Sequence, residues 1–216
     1  MEKFSCQRCG ICCTNIGGRF SDREIKRIGE AFRELERIGI YLVIPPEDLS
    51  IPLFPDEVKA MIELSNKIDV KFRPQPKLVI LDKNKEYVIE WDLGDRICPF
   101  YNKEKGCLIY EHRPLACKSF PVILKPNGYE LLSICPETRK YKESTDREIE
   151  QIFEQESMYA KMFNEKVKER KERLLQMIRD KEIIPIKASM ENILNLKKNI
   201  IEKSLKEPSR ITDILS

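Results

Sequence analysis

Cysteines are the main candidates for functional side chains in this 216-residue chain, since the sequence holds eight cysteines and only one histidine. Four of the cysteines stand in one short run, Cys6-Gln-Arg-Cys9-Gly-Ile-Cys12-Cys13. Cysteines two residues apart can turn their sulfurs toward one point, and such loops bind zinc ions and iron–sulfur clusters. A lone histidine excludes metal sites built from two or three histidines of one chain. The run therefore predicts a metal site with Cys6, Cys9 and Cys12 as ligands, while Cys13 either binds a second site or is a buried neighbour.

The remaining cysteines, Cys98, Cys107, Cys117 and Cys135, lie far along the chain and are also predicted metal ligands. Triple C-x₂-C-x₂-C spacing and Cys-Pro pairs are features of ferredoxin ligand loops, so they favour an iron–sulfur cluster, with 4Fe-4S as the predicted type. Zinc is the alternative, because four thiolates suffice for it and the two cysteine blocks are widely separated. Disulfides without metal are a third interpretation. Eight sulfurs allow either two four-sulfur sites or one site with spare thiols.

Cationic side chains flank the cysteine at position 117. A metal held by four thiolates carries net negative charge, which nearby cations stabilise. Arg113 and Lys118 are therefore predicted to support the metal site. An alternative for Arg113 is a local ion pair with Glu111, and His112 is an alternative zinc ligand.

The charges of the chain nearly cancel, with 39 basic and 36 acidic side chains and a formal net charge of +3. Such a chain has no net basic field to attract phosphates, so nucleic acid is not an expected partner. The N-terminal residues contain no apolar signal segment, and no apolar run is long enough to span a membrane. The expectation is a cytoplasmic protein without a membrane partner, in a compartment where clustered thiols usually serve metal or redox chemistry.

Local signals predict the helices that must position the cysteines. Capping boxes begin helices after Ser21 and after Thr145, because each hydroxyl residue is followed three positions later by glutamate. The first of these helices carries an apolar stripe, predicted to be buried, that ends at Ile38. Another helix is predicted from Pro55, since proline fits the first helical turn. Near Pro185 the C-terminal pattern breaks, which predicts two helices joined as a hairpin.

Two β-hairpins are predicted, over residues 78–91 with a turn at 82–85 and over residues 122–134. The fold class is therefore α+β, with a small antiparallel sheet, helices and cysteine-bearing loops, followed by a C-terminal helical hairpin. Composition predicts a cysteine-cluster metal-binding domain over residues 1–140 and a charged helical extension over residues 141–216, which contains no cysteine.

Both cysteine blocks resemble those of the YkgJ-type cysteine-cluster proteins, a family named for its CxxCxxCC motif. The matching stretches are C-x₂-C-G-x-C-C at 6–13 and C-P-F, then C-L-I-Y-x-x-R-P-x-x-C-x-x-F-P, within 98–121. The resemblance covers roughly residues 4–136. It implies a zinc- or iron-chelating domain in which these cysteines bind the metal, and it implies no particular reaction.

Three functions are compatible with these features. The first is an iron–sulfur protein with a redox or oxidoreductase-accessory role. The second is a structural zinc-binding module for protein interaction; in either case the helical extension is a candidate surface for a protein partner. The third is a modifying enzyme, because the domain is similar to one found in flagellin lysine N-methylases.

Overall fold

The structure of the chain, a computed structural model, describes residues 3–16, 21–82, 85–94, 96–207, 211 and 213–215. Contacts between residues divide the chain into two units. Unit 1 consists of Met1–Asn15 and Phe100–Lys171, and unit 2 of Ile16–Pro99 and Glu172–Ser216. The boundary that composition predicts after residue 140 stays a prediction.

Unit 2 is built on a four-stranded antiparallel sheet with the strand order β1-β3-β4-β2. The predicted hairpin is present as β3 paired with β4, although Lys83 and Asn84 of its predicted turn lie outside the described residues. Buried aliphatic side chains of the sheet, among them Ile80, form the core with residues that follow position 171. The strands are β1 (Ile40–Leu42), β2 (Pro52–Leu53), β3 (Gln75–Asp82) and β4 (Lys85–Asp92).

The helices of unit 2 begin where the sequence predicts. Ser21 caps the first helix through a complete capping box. The prediction of a buried apolar stripe on this helix is corrected, because none of its residues is fully buried and the stripe is half-buried. The helix ends at Arg37, so Ile38 lies at its C-cap and is 46% exposed. Pro55 is the first residue of the second helix. The helices are α1 (Asp22–Arg37) and α2 (Pro55–Lys67) in the first segment of unit 2, and α6 (Met190–Lys206) near the C-terminus.

The C-terminal helix α6 packs against strand β3 of the unit 2 sheet. Its side chains Ile193 and Ile200 are buried. The Lys197 ammonium donates a hydrogen bond of 2.9 Å to the Val43 carbonyl, and burial lowers the pKa of this lysine. The buried side of this helix therefore packs within unit 2.

Unit 1 is made of two short hairpins and several helices, connected by the loops that carry most of the cysteines. The second predicted hairpin is present as β7 paired with β8. The α+β prediction is confirmed, including the C-terminal helices. The elements are β5 (Tyr101–Asn102), β6 (Gly106–Cys107), α3 (Leu115–Ser119), β7 (Val122–Lys125), β8 (Gly128–Leu131), α4 (Asp146–Ile152) and α5 (Glu154–Arg179), the last of which continues into unit 2.

Aromatic packing in the core of unit 1 holds the chain just before the first cysteine. Phe153 is fully buried, with its ring centroid 4.8 Å from that of Phe4 and 5.5 Å from that of Tyr141. The Phe4 amide also donates a hydrogen bond of 2.7 Å to the Ile152 carbonyl. Buried aromatic pairs contribute area and a preferred geometry together, so this contact anchors the N-terminal segment to α4.

The capping box at Thr145 leads to a stability prediction. The Thr145 hydroxyl accepts a hydrogen bond from the backbone amide of Glu148, at the start of α4. Loss of an N-cap hydroxyl typically costs about 1 kcal/mol. We expect T145A to lower the free energy of unfolding by that amount in urea titrations. T145S keeps the hydroxyl and is the matched control, and equal loss in both variants would contradict the capping role.

No helix in the described part of the chain has both the length and the apolar character needed to cross a membrane.

Candidate metal centre

The first cysteine run forms an irregular loop whose backbone folds back on itself. Arg8 and Gly10 both have a left-handed backbone, with φ of 51° and 79°. The Thr14 amide then donates a hydrogen bond of 2.9 Å to the Gly10 carbonyl, which closes a turn over the last two cysteines of the run. Left-handed residues reverse the chain locally, so this loop presents its thiols from a short stretch of sequence.

This loop packs against the β5–β6 hairpin of the same unit. A Cβ atom placed on Gly10 would lie 2.2 Å from the Tyr101 ring, so only glycine allows so close an approach. Tyr101 is the strand partner of Cys107. On the same hairpin, a Cβ on Gly106 would lie 3.4 Å from the Arg8 Cβ. The two glycines therefore let the first loop lie directly beside the strand that carries Cys107.

Pairwise interactions link six thiols of unit 1, and none of the eight cysteines forms a disulfide. The Cys12 and Cys13 sulfurs are 3.9 Å apart, so these neighbours converge. Cys12 also interacts with a cysteine of the β5–β6 hairpin and with the cysteine that precedes Pro136. We call these six residues the thiol cluster: Cys6, Cys9, Cys12, Cys13, Cys107 and Cys135.

Several thiols of the cluster are held in their protonated form by their surroundings. The hydrogen bond with Cys13, together with burial, holds the pKa of Cys12 well above its ordinary value. Burial raises the pKa of Cys107, although the Arg113 guanidinium acts in the opposite direction. Burial likewise raises the pKa of Cys135. A metal that binds here must therefore displace protons, as is general for thiolate sites.

A tyrosine between two arginines borders the cluster. The guanidinium carbons of Arg8 and Arg113 each lie 3.9 Å from the centroid of the Tyr110 ring. Burial raises the pKa of Tyr110, and the interaction of this tyrosine with the Cys6 side chain acts in the same direction. We call Arg8, Tyr110 and Arg113 the Arg–Tyr–Arg stack. In the sequence, Tyr110 is marked by its place near the cysteines and within the family motif, and neither signal predicts its contact with two arginines.

The predicted supporting cations have different surroundings. Arg113 donates hydrogen bonds to the carbonyls of Tyr110, at 3.0 Å, and Cys117, at 3.5 Å. It also interacts electrostatically with Glu156. Burial raises the pKa of this glutamate, and the Arg113 charge opposes part of that increase. The Lys118 ammonium lies 5.4 Å from the centroid of the Tyr159 ring. Arg113 thus interacts directly with the cysteine segments of unit 1.

Three predicted or alternative ligands lie outside the thiol cluster as defined above. Cys98 belongs to unit 2. Cys117 lies on α3 in unit 1 and is partly buried. His112 is exposed, at the end of a 3₁₀ turn over Tyr110–His112.

The donors are cysteine thiols, whose chemistry suits a thiophilic metal. Soft thiolates select zinc and iron–sulfur clusters over hard cations such as magnesium. Within the described ranges, however, no three His, Cys, Asp or Glu side chains converge as ligands of one ion. Sulfurs around one tetrahedral zinc ion are about 3.8 Å apart, given a Zn–S bond of about 2.3 Å. The Cys12–Cys13 sulfur distance of 3.9 Å is close to that value. In the described residues, no third donor joins these two sulfurs around a single ion.

The fold and the site define an α+β protein whose loops gather free thiols. The family model described as "CxxCxxCC: Putative zinc- or iron-chelating domain" matches residues 59–136, just over a third of the chain. This match confirms the resemblance for residues 59–136, and it supports metal binding as a property of that segment. The matched segment contains the four distal cysteines, and the run at 6–13 precedes it. No curated protein and no solved structure matches the chain.

Proposed function

We propose that this protein holds an iron–sulfur cluster through thiolates of the thiol cluster and acts as a redox protein or as an accessory to an oxidoreductase. The observation that carries the proposal is the position of Cys12. This cysteine interacts with Cys13 of its own loop, with Cys107 of the β5–β6 hairpin and with Cys135 after β8. Three segments that are distant in sequence thus carry thiols that interact electrostatically with one cysteine, which packing alone does not require.

An iron–sulfur cluster is supported over zinc by the number and spread of the sulfurs. One zinc ion takes four thiolates with all sulfurs in mutual contact. Here pairwise interactions link six thiols and, in the described part of the chain, no three donors converge on one ion. A cluster of several atoms, of the 4Fe-4S type, spaces its cysteines further apart. Arg8 and Arg113 add positive charge beside the site, which offsets the negative charge of four thiolates.

The proposed ligands are Cys6, Cys9 and Cys12 with one distal cysteine. Cys107 interacts with Cys6 and Cys12, and Cys135 interacts with Cys9 and Cys12, so both are candidates for the fourth position. The bound group would supply one-electron chemistry. The protein supplies the thiolates, the cations beside them and partial exclusion of water. Further ligands are proposed if a second site forms, namely Cys13, Cys98 and Cys117, with Lys118 as an additional supporting cation.

A structural zinc site in a protein-interaction module is the second candidate. It is favoured by one observation, the 3.9 Å between the Cys12 and Cys13 sulfurs, which suits two ligands of one zinc ion. In this case the metal would stabilise the loops of unit 1 and take no part in electron transfer.

Metal analysis after anaerobic purification of the full chain separates the two candidates. We expect about four iron atoms and four acid-labile sulfides per chain if one 4Fe-4S cluster is bound, together with visible absorption that bleaches on reduction. A colourless protein with stoichiometric zinc and no sulfide would replace this proposal by the zinc module. A chain that contains neither metal after purification and reconstitution would contradict both.

A further inference from the structure

We infer that Tyr110 is a positioning residue of the metal site: its ring, held between Arg8 and Arg113, joins the two cysteine segments, and its hydroxyl orients the Cys6 sulfur toward the metal. This inference rests on the proposed metal-binding function. It assigns a role to a side chain that is itself not a metal ligand.

The Arg–Tyr–Arg stack is built from both cysteine segments. Arg8 lies between Cys6 and Cys9 in the first loop, whereas Tyr110 and Arg113 belong to the segment that links Cys107 to Cys117. Both guanidinium groups lie 3.9 Å from the ring centroid. Cation–π contact at this distance is favourable for each arginine. The ring therefore acts as a bridge between two loops that have no backbone pairing with each other in the described strands.

Each arginine of the stack is also held in place independently of the ring. Arg113 donates from Nε to the Tyr110 carbonyl and from Nη1 to the Cys117 carbonyl. Arg8 has a left-handed backbone, with φ of 51°, and its Cβ lies against Gly106. A left-handed residue other than glycine is uncommon and is retained only where the surrounding structure maintains it. The stack is therefore ordered from both sides before any metal binds.

The Tyr110 hydroxyl supplies a chemical link to the site, because it interacts with the Cys6 side chain. When Cys6 binds a metal it does so as a thiolate, which accepts a hydrogen bond from the hydroxyl in place of offering its own proton. Hydrogen bonds to ligand sulfurs fix the direction of the ligand and tune the bound metal. Two guanidinium charges on the faces of the same ring add a favourable field for that thiolate.

Cobalt(II) titration of the metal-free full chain tests this role, because the thiolate-to-cobalt absorption band reports both affinity and the environment of the sulfurs. Y110F removes only the hydroxyl and keeps the ring between the arginines. Y129F is the matched control, since it removes a hydroxyl of unit 1 that donates a hydrogen bond of 2.8 Å to Glu150 and not to a cysteine. Y110L removes hydroxyl and ring together.

We expect Y110F to weaken cobalt binding roughly 10-fold and to shift the charge-transfer band, since outer-shell substitutions typically cost 10- to 100-fold in metal affinity. Y110L should weaken binding further, toward roughly 100-fold. Y129F should leave both affinity and band unchanged. Thermal unfolding of the metal-free Y110F protein should match that of the wild type, which separates positioning from a general loss of stability.

Two outcomes overturn the inference in distinguishable ways. A wild-type chain that binds cobalt with a thiolate band, together with Y110F that keeps the same affinity and band, excludes the positioning role and leaves the proposed function intact. Equal losses of affinity in Y110F and Y129F exclude the positioning role in the same way. A wild-type chain that gives no thiolate–cobalt band overturns the positioning role, whereas the proposed function is overturned only if the purified and reconstituted chain holds neither iron nor sulfide.

Discussion

C12S should lose nearly all of the metal that the wild-type protein carries. Cys12 is the thiol that interacts with Cys13, Cys107 and Cys135, so it is the proposed ligand with partners in all three cysteine segments. A serine hydroxyl is a harder and much less acidic donor than a thiol, and it does not replace a thiolate for soft metals. Since loss of an outer-shell partner already costs 10- to 100-fold, loss of a direct ligand should weaken cobalt binding by more than about 100-fold.

The measurement is metal and sulfide per chain after anaerobic purification, followed by cobalt titration of the metal-free protein. C98S makes the same chemical change in unit 2, and it tests whether Cys98, a ligand predicted from the sequence, also binds the metal. If C12S retains full metal content and wild-type cobalt affinity, the thiol cluster is not the site. If C98S loses metal as completely as C12S, the site includes sulfur beyond the thiol cluster.

G10A should destabilise the protein by at least about 2 kcal/mol and remove its metal. Gly10 has a left-handed backbone, with φ of 79°, which costs an ordinary L-residue about 1–2 kcal/mol. In addition, the new Cβ would lie 2.2 Å from the Tyr101 ring, a separation that real atoms do not show, so the ring or the loop must move and the contact between them is lost. This contact joins the first cysteine run to the strand pair of Cys107, because Tyr101 is the strand partner of this cysteine.

Urea unfolding and metal content measure the two effects of this substitution. G29A is the matched control, since Gly29 lies in α1 and the nearest atom to its added Cβ is the Arg33 side-chain Nη1, at 3.8 Å. Alanine in a helix is favoured over glycine by up to about 1 kcal/mol, so this variant should be as stable as the wild type or more stable. Equal effects of G10A and G29A would show that the close contact at Tyr101 does not position the cysteines.

Local features of the fold could be predicted from the sequence because each depends on neighbouring residues. The capping boxes at Ser21 and Thr145 are both formed, since a hydroxyl and a glutamate three residues later satisfy the first backbone amides of a helix. The hairpins β3–β4 and β7–β8 follow from strand-forming runs around short polar turns. Ile38 shows where periodicity fails, because the pattern continues one residue past the last turn of α1.

The chemical character of the site follows from the sequence: there are eight thiols against one histidine, seven of the thiols fall in two blocks, and the first block has metal-ligand spacing. Which thiols interact depends on the tertiary structure. The first loop lies beside the strand of Cys107 because Gly10 has no side chain and leaves room for the Tyr101 ring. The Cys13 sulfur lies near that of Cys12, although adjacent side chains tend to diverge. Only in three dimensions does Tyr110 bridge the two blocks. Ligand spacing is a local property of the chain, whereas contacts between distant segments depend on packing that no short stretch of sequence specifies.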